Sequence, residues 1–368
     1  MRIALYILLG VVVVIIGFFT WFFTFYLQVP ELELPDNVTD EEKVVLMDKW
    51  FEELQRQNKF NGAVLISKEG KPLLIKGYGY TDYSKKEKLS IHSSLRLASV
   101  SKQFTAAGIM LLKEQGDIDY DDEVSLYIKE FPYKGVTIRH LLNQTSGVPD
   151  KYMKLAKKNK EKIGVLTNKK AVDLLIKNKP KIDFLPNAEY KYSNTNYILL
   201  ARIIEVVSDV SFETYMRTQL FEPLGMKDTR VWNLLSEEKT FKNKTGGFDE
   251  TIRGIKEIKP TFIDGVAGDG GVFCSVHDFV IWDAFWYQNE LLSEDNLKEA
   301  FKKPVLTTGE TSDYGFGWMI MDEGVVIHTG LWMAARTYII RDTKRKTCIV
   351  ILDNSSSMFF RNIVESLE

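Results

Sequence analysis

The chain has 368 residues, with 48 Lys and Arg against 50 Asp and Glu, a formal net charge of −2, two cysteines and four histidines. So even a mixture of charges leaves no electrostatic footprint for nucleic acid, and two cysteines cannot build a disulfide framework or a zinc–thiolate site. The absence of any His-Glu-x-x-His spacing argues against a metallohydrolase, and no cofactor is implied.

Residues 3–27 carry no charge and are almost wholly apolar. At about 1.5 Å per residue such a helix reaches roughly 37 Å, enough to cross a hydrocarbon core of about 30 Å with tilt. The run ends in Phe22, Phe23, Phe25 and Tyr26 rather than in small residues, which is the pattern of an interfacial aromatic belt and an uncleaved anchor. Arg2 flanks one end and Glu31, Glu33 and Asp36 the other, so residues 1–28 read as a single transmembrane helix with its N-terminus in the cytoplasm. The catalytic domain is then expected on the outer face of the cytoplasmic membrane. Residues 29–39, with Pro30 and Pro35, read as an extended linker.

From here residues 40–368 read as one domain. Asp40 can cap a helix whose apolar positions include Val44, Trp50, Phe51 and Leu54. Two strand runs, Gly62 to Ser67 and Pro72 to Gly77, flank the hairpin signal Lys68-Glu69-Gly70. Then Ser99-Val100-Ser101-Lys102 opens an apolar helical run through Phe104, Ala107, Gly108, Leu111 and Leu112, so a hydroxyl and an amine share one face of a buried helix. The same Ser-x-x-Lys spacing at Ser236 to Lys239 lies in alternating charge and reads as solvated surface, as do Lys85-Lys86 and the lysines between 157 and 162. The middle of the chain is mostly helical. Strand patterns return at Gly315 to Met321, Val325 to Thr329, Thr337 to Arg341 and Cys348 to Leu352, and an amphipathic run, Met358 to Leu367, closes the chain. Cys274 and Cys348 read as small core residues. Strands at both ends predict one antiparallel sheet flanked by helices (residues 40–97 and 306–368), and a mainly helical second lobe (98–305), with a cleft between them.

Two further elements follow Ser99-Val100-Ser101-Lys102 in order: Tyr192-Ser193-Asn194 and His328-Thr329-Gly330. A serine, a lysine and a Lys-Thr-Gly-like strand element form the signature set of penicillin-recognising serine enzymes. With tyrosine opening the middle element, the chain resembles the class C β-lactamase and DD-peptidase family, including its esterase and D-aminopeptidase relatives. Asn61-Gly62-Ala63-Val64-Leu65, Ile138-Arg139-His140-Leu141-Leu142, Thr145-Ser146-Gly147, Pro223-Leu224-Gly225-Met226, Gly270-Gly271-Val272-Phe273 and Tyr314-Gly315-Phe316-Gly317-Trp318 extend the likeness over most of the chain. The resemblance implies a β-lactamase/transpeptidase-like α/β plus all-α fold.

It also implies a Ser99 acyl-enzyme acting on a small-molecule or peptide substrate. A serine hydroxyl needs a base, and a free lysine, titrating at about 10.4, is protonated at neutral pH, so Ser99, Lys102 and Tyr192 form one coupled proton system in which either Lys102 or Tyr192 is the base. By motif position Asn194 holds the lysine and the substrate amide. The backbone N–H groups of Ser99 and Leu331 are the oxyanion donors, Thr329 offers a hydroxyl to a substrate carboxylate or carbonyl, and Gly330 lets the substrate backbone approach. Departures from the family pattern bear on substrate. His328 stands where many relatives have lysine, which removes a fixed charge for a β-lactam carboxylate and argues against efficient β-lactam hydrolysis. Leu331-Trp332-Met333-Ala334-Ala335-Arg336 replaces smaller residues, so Trp332 and Met333 are expected to wall the cleft and Arg336 to supply a carboxylate anchor. Gln144 in place of a histidine and Asn187 in place of a glycine read as loop variants without catalytic meaning.

Overall fold

The computed structural model describes residues 6, 10–17, 28–35, 37–236, 240–251 and 254–367. Its contacts divide the chain into two units, residues 1–60 with 358–368, and residues 61–357. Most of the apolar run 3–27, on which the expected membrane helix falls, lies outside the described residues, and among the described residues no helix is long and apolar enough to cross a membrane.

In the first unit, helix α1 (Asp40–Arg56) is capped by Thr39 rather than by Asp40. The reason is a capping box: Thr39 Oγ1 accepts from the Glu42 N–H at 3.2 Å while Glu42 Oε2 accepts from the Thr39 N–H at 2.8 Å, so two otherwise unpaired donors are satisfied reciprocally. Its apolar stripe buries Trp50, Phe51 and Leu54, and Trp50 Nε1 donates to the Pro30 carbonyl at 2.7 Å, tying down the linker. The closing run forms a short helix, Phe360–Glu365.

The second unit is built on a six-stranded antiparallel sheet. Its strands are β1 (Gly62–Lys68), β2 (Lys71–Tyr78), β3 (Met319–Ile320), β4 (Val325–Trp332), β5 (Ala335–Asp342) and β6 (Thr347–Asp353), in the order β2-β1-β6-β5-β4-β3. Strands from the two ends of the unit thus meet at the β1–β6 pairing, as the sequence pattern predicts. The run expected as a strand from Gly315 is one only at Met319–Ile320. Before it the chain turns: Gly315 N–H bonds the Trp318 carbonyl, and Gly317 sits at φ +80°, where a Cβ would lie 2.8 Å from the Gln103 backbone. Only glycine lets this turn close on the helix beneath.

That helix, α2 (Ser101–Gln115), is buried on nearly every side from Ser101 to Leu112, with the polar Ser101, Lys102, Gln103 and Thr105 buried among its apolar residues. Phe104 stacks on Trp282 with ring centroids 4.1 Å apart. Helix α3 (Asn194–Ser208) packs against α2, and helix α4 (Val276–Phe285) packs on β1 and β2. A buried ion pair fixes α4 to the sheet: Arg341 on β5 donates to Asp283 through Nε at 2.9 Å, and Ser67 on β1 donates to the second carboxylate oxygen at 2.8 Å. Cys274 and Cys348 are free and buried.

Candidate active site

Immediately before α2 the chain makes a single 3₁₀ turn, Ala98–Val100, which carries Ser99. Ala98 has φ +48°. A left-handed alanine costs roughly 1–2 kcal/mol, and here it reverses the chain so that Ser99 faces an open cleft of about 430 Å³. Strand β4 lies against this turn. A Cβ on Gly330 would sit 2.1 Å from Thr337 Oγ1, 2.5 Å from the Leu97 carbonyl and 3.1 Å from Ala98 Cβ. Gly330 is therefore required for the strand to reach the serine turn, and the close approach is made by the chain itself rather than by substrate.

Three residues later on the same face, Lys102 is fully buried. Its Nζ donates to Ser99 Oγ at 3.1 Å, to Asn194 Oδ1 at 2.9 Å and to the Asp269 carbonyl at 2.8 Å. None of these three acceptors is a carboxylate oxygen. The Asp269 carboxylate turns instead to Tyr152 Oη, 3.0 Å away, and its burial raises its pKa against the opposing pull of Lys102. The Tyr192 ring lies beside the ammonium, with its centroid 4.9 Å from Nζ. Asn194 opens α3 and uses both ends of its amide, accepting from Lys102 and donating to Asp150 at 3.1 Å. The structure thus brings Ser99, Lys102, Tyr192 and Asn194 together. The competing Ser236 is buried rather than solvated and donates to Glu213 at 3.0 Å, and the remainder of that motif lies outside the described residues.

Strand β4 forms one wall. Strand β3 pairs with it only at Val326 and Ile327, so among the described residues positions 328–332 have no strand neighbour on that edge. Thr329 is exposed, and Leu331, 65% exposed, lines the cleft with Ser99. His328 is placed differently from the substrate-facing position expected. It is buried, its Nδ1 lies 2.7 Å from the Thr329 carbonyl and its Nε2 2.9 Å from Tyr314 Oη. A carbonyl can only accept, so Nδ1 carries the proton and Nε2 receives the tyrosine hydroxyl. Burial, helped by the charge of Lys102, holds its pKa down at about 3, which keeps the ring neutral. Arg336 is not the expected anchor either: its guanidinium donates to the carbonyls of Met333 and Ala335 at 3.0 and 3.1 Å, bracing its own turn. Met333, at φ +53°, borders an adjoining cavity with Lys244 and Trp232, and of the two expected wall residues only Trp332 lines the Ser99 cleft.

Several residues of the site were not singled out by the motifs. Asp264, buried, accepts from Arg96 at 2.8 Å, from Trp332 Nε1 at 2.8 Å and from the Thr261 N–H at 2.7 Å, fixing the indole that walls the cleft. Gln144, read as a neutral loop variant, accepts from the Ser193 N–H at 2.9 Å and from Asn196 Nδ2 at 2.6 Å. It holds the turn that carries Tyr192 and Asn194.

A family model described as Beta-lactamase matches residues 47–363. The chain belongs to the beta-lactamase family. Within that family it is 37% identical over 317 residues to Penicillin-binding protein 4* of Bacillus subtilis (strain 168), covering 83% of this chain and 70% of that protein. It is 30% identical over 328 residues to Protein flp of Staphylococcus aureus (strain MW2), covering 86% of this chain but only 64% of that one, so the chain spans about two thirds of the length of these relatives. Among solved structures, the octameric penicillin-binding protein homologue from Pyrococcus abyssi superposes with a TM-score of 0.72 at 24% identity, over 89% of this chain and 78% of that one. The fold is the β-lactamase-like fold, and the family is one of serine hydrolases.

Proposed function

We propose that this beta-lactamase-like serine hydrolase works through a Ser99 acyl-enzyme on an amide or ester, with a peptidoglycan-type peptide or related small molecule as substrate. The observation that carries the reading is the set of three partners around Lys102 Nζ. A neutral amine has two N–H donors and one lone pair. With the donors on Asn194 Oδ1 and the Asp269 carbonyl, the lone pair faces Ser99 Oγ and can take its proton. Ser99 Oγ then bonds to the substrate carbonyl carbon, the C–N or C–O bond breaks, and the leaving amine or alcohol departs with the proton, delivered from Lys102 or by way of Tyr192. Water attacks the ester in the second half-reaction and restores Ser99.

The oxyanion is assigned to the N–H groups of Ser99, at the head of α2, and of Leu331, on the open edge of β4. Losing one such donor typically costs about 2.7–4 kcal/mol. The open edge of residues 328–332 also suits an extended substrate segment, with Thr329 exposed beside it. The apolar run 3–27 supports a membrane anchor with this domain outside the cytoplasm.

A second reading, a carboxylesterase or D-amino-acid amidase, is favoured by the neutral His328, which leaves β4 without a cation for a substrate carboxylate, and by Arg336 on β5, whose Nη1 is turned to the Met333 and Ala335 carbonyls. A third, a binding protein that keeps the fold without turnover, predicts no hydrolysis. Steady-state assays of the full chain in detergent on p-nitrophenyl esters, D-amino-acid amides and peptides ending in D-Ala-D-Ala separate the three. Turnover lost in Ser99→Ala is the expected result, and the best substrate names the class. No turnover of any of them by folded protein would overturn both enzymatic readings.

A further inference from the structure

We infer that His92, His277 and Asp228 form a binding site for a borderline divalent transition-metal ion such as Zn²⁺ or Cu²⁺, separate from the Ser99 cleft. One donor atom from each of the three residues lies within 4.8 Å of the other two. The two imidazole rings face each other with centroids 4.6 Å apart at 40°. His92 Nδ1 lies 2.8 Å from Asp228 Oδ2, and His277 Nδ1 lies 3.2 Å from Asp278 Oδ1.

The three segments are tied to one another by hydrogen bonds, one between backbones and the others through side chains, and these bring the three residues together. His277 stands in the first turn of α4, and its N–H donates to the Ile91 carbonyl at 3.1 Å, fixing it beside His92. The Asp228 N–H donates to Asp278 Oδ2 at 2.8 Å, and Thr229 Oγ1 donates to the same oxygen at 2.8 Å. Asp228 Oδ1 accepts from Asn243 Nδ2 at 3.0 Å, and its Oδ2 also accepts from Ser275 Oγ at 3.4 Å.

Chemistry selects the ion. Asp278 holds one nitrogen of His277 and leaves the other as donor, which is the carboxylate–histidine–metal arrangement that orients a ligand and raises its basicity. Between His92 and Asp228 the cation takes the place of the shared proton. Metal–nitrogen bonds of about 2.0–2.1 Å put tetrahedral ligand atoms about 3.3 Å apart, so the donor atoms, all within 4.8 Å of one another, have to draw in on the ion, a movement for two half-exposed histidine side chains. Lys227, Arg230 and Lys242 border the same cavity. Their charge opposes any divalent cation alike, so the donor set makes the choice: two imidazoles and one carboxylate suit Zn²⁺ or Cu²⁺, whereas Ca²⁺ and Mg²⁺ are held by many oxygens. The chain's other two histidines are engaged elsewhere: His328 with Tyr314 and Thr329, and His140 accepting from the Thr137 N–H at 3.1 Å.

The test uses the EDTA-treated full chain in detergent. Titration calorimetry with Zn²⁺ should show one ion per chain, with Ca²⁺ silent, and His92→Asn and His277→Asn should each weaken binding at least tenfold while the circular dichroism spectrum is kept. On the wild-type protein, diethyl pyrocarbonate labelling read by mass spectrometry should show His92 and His277 protected by Zn²⁺ and the labelling of His140 and His328 unchanged. Absent binding, binding unaltered in both variants, or unprotected His92 and His277 overturns the site.

Discussion

Lys102 and Arg341 are both fully buried cations, yet the fold surrounds them oppositely. Arg341 meets a carboxylate, Asp283, at 2.9 Å, and its guanidinium lies 4.6 Å from the Tyr287 ring centroid. Lys102 meets a hydroxyl, an amide oxygen and a backbone carbonyl. A buried carboxylate locks a charge in place, whereas neutral acceptors bring no opposite charge to hold the ammonium as a charge. The first arrangement staples α4 to the sheet, and the second leaves a proton free to move.

The largest expected effect comes from deleting the movable proton. Lys102→Met should lower kcat/KM by about 10²–10⁴, the range of a general base, with only a modest loss of thermal stability, because the hydrogen-bond partners it leaves are the neutral Asn194 Oδ1 and Asp269 carbonyl rather than a paired carboxylate. A fall in Tm of many degrees would make Lys102 structural, like Arg341. The converse variant, Arg341→Met, leaves the Asp283 charge unpaired and should cost about 3–5 kcal/mol in chemical denaturation. Activity per folded molecule should stay near wild type, and Arg341→Met with Asp283→Leu should recover most of the stability.

Gln144→Leu sharpens the contrast at a neutral group. It strips the acceptor from the Ser193 N–H and from Asn196, so a loss of about 1–3 kcal/mol is expected, together with a lower kcat as Tyr192 and Asn194 lose their support. The smallest effect is a slope. His328 titrates near 3 in the folded chain and near 6.5 unfolded, so the unfolded state binds the extra proton between these values and stability falls as pH drops through that window, by at most about 1.4 kcal/mol per pH unit. Asp353, raised by burial to about 6, acts oppositely, losing stability as pH rises from about 4 to 6. Comparing wild type with His328→Gln isolates the histidine: the variant should show the flatter fall in acid, and parallel curves would contradict a buried neutral ring.

Side-chain spacing made the centre of the site legible and little beyond it. Ser99 and Lys102 stand three apart across the 3₁₀ turn that runs into α2, and helical spacing alone places them on one face. Tyr192 and Asn194 arrive because their turn opens α3. The third partner of Lys102 is a main-chain oxygen of Asp269, and a carbonyl has no side-chain signature. Ala98 gives no sign of its left-handed conformation, since glycine is the residue that usually announces one. His328 and Arg336 were misplaced because their roles depend on neighbours remote in sequence or on the local turn: Tyr314 occupies one, and the Met333 and Ala335 carbonyls occupy the other. The sheet was readable from its alternating strands, but Gly315 to Trp318 was not, because its conformation is set by contact with α2. His92 and His277 lie far apart in the chain and are brought together by contacts remote in sequence, among them the bond from the His277 N–H to the Ile91 carbonyl.

The central claim is that Ser99 is acylated. Intact-protein mass spectrometry of the full chain after exposure to a fluorophosphonate, and separately to a penicillin, tests it most directly. The account predicts a covalent adduct that peptide mapping places on Ser99 and that is absent from Ser99→Ala, with the faster reagent separating the ester-type from the penicillin-type site. Folded protein that takes up neither reagent, or that carries the adduct on another residue, would contradict it.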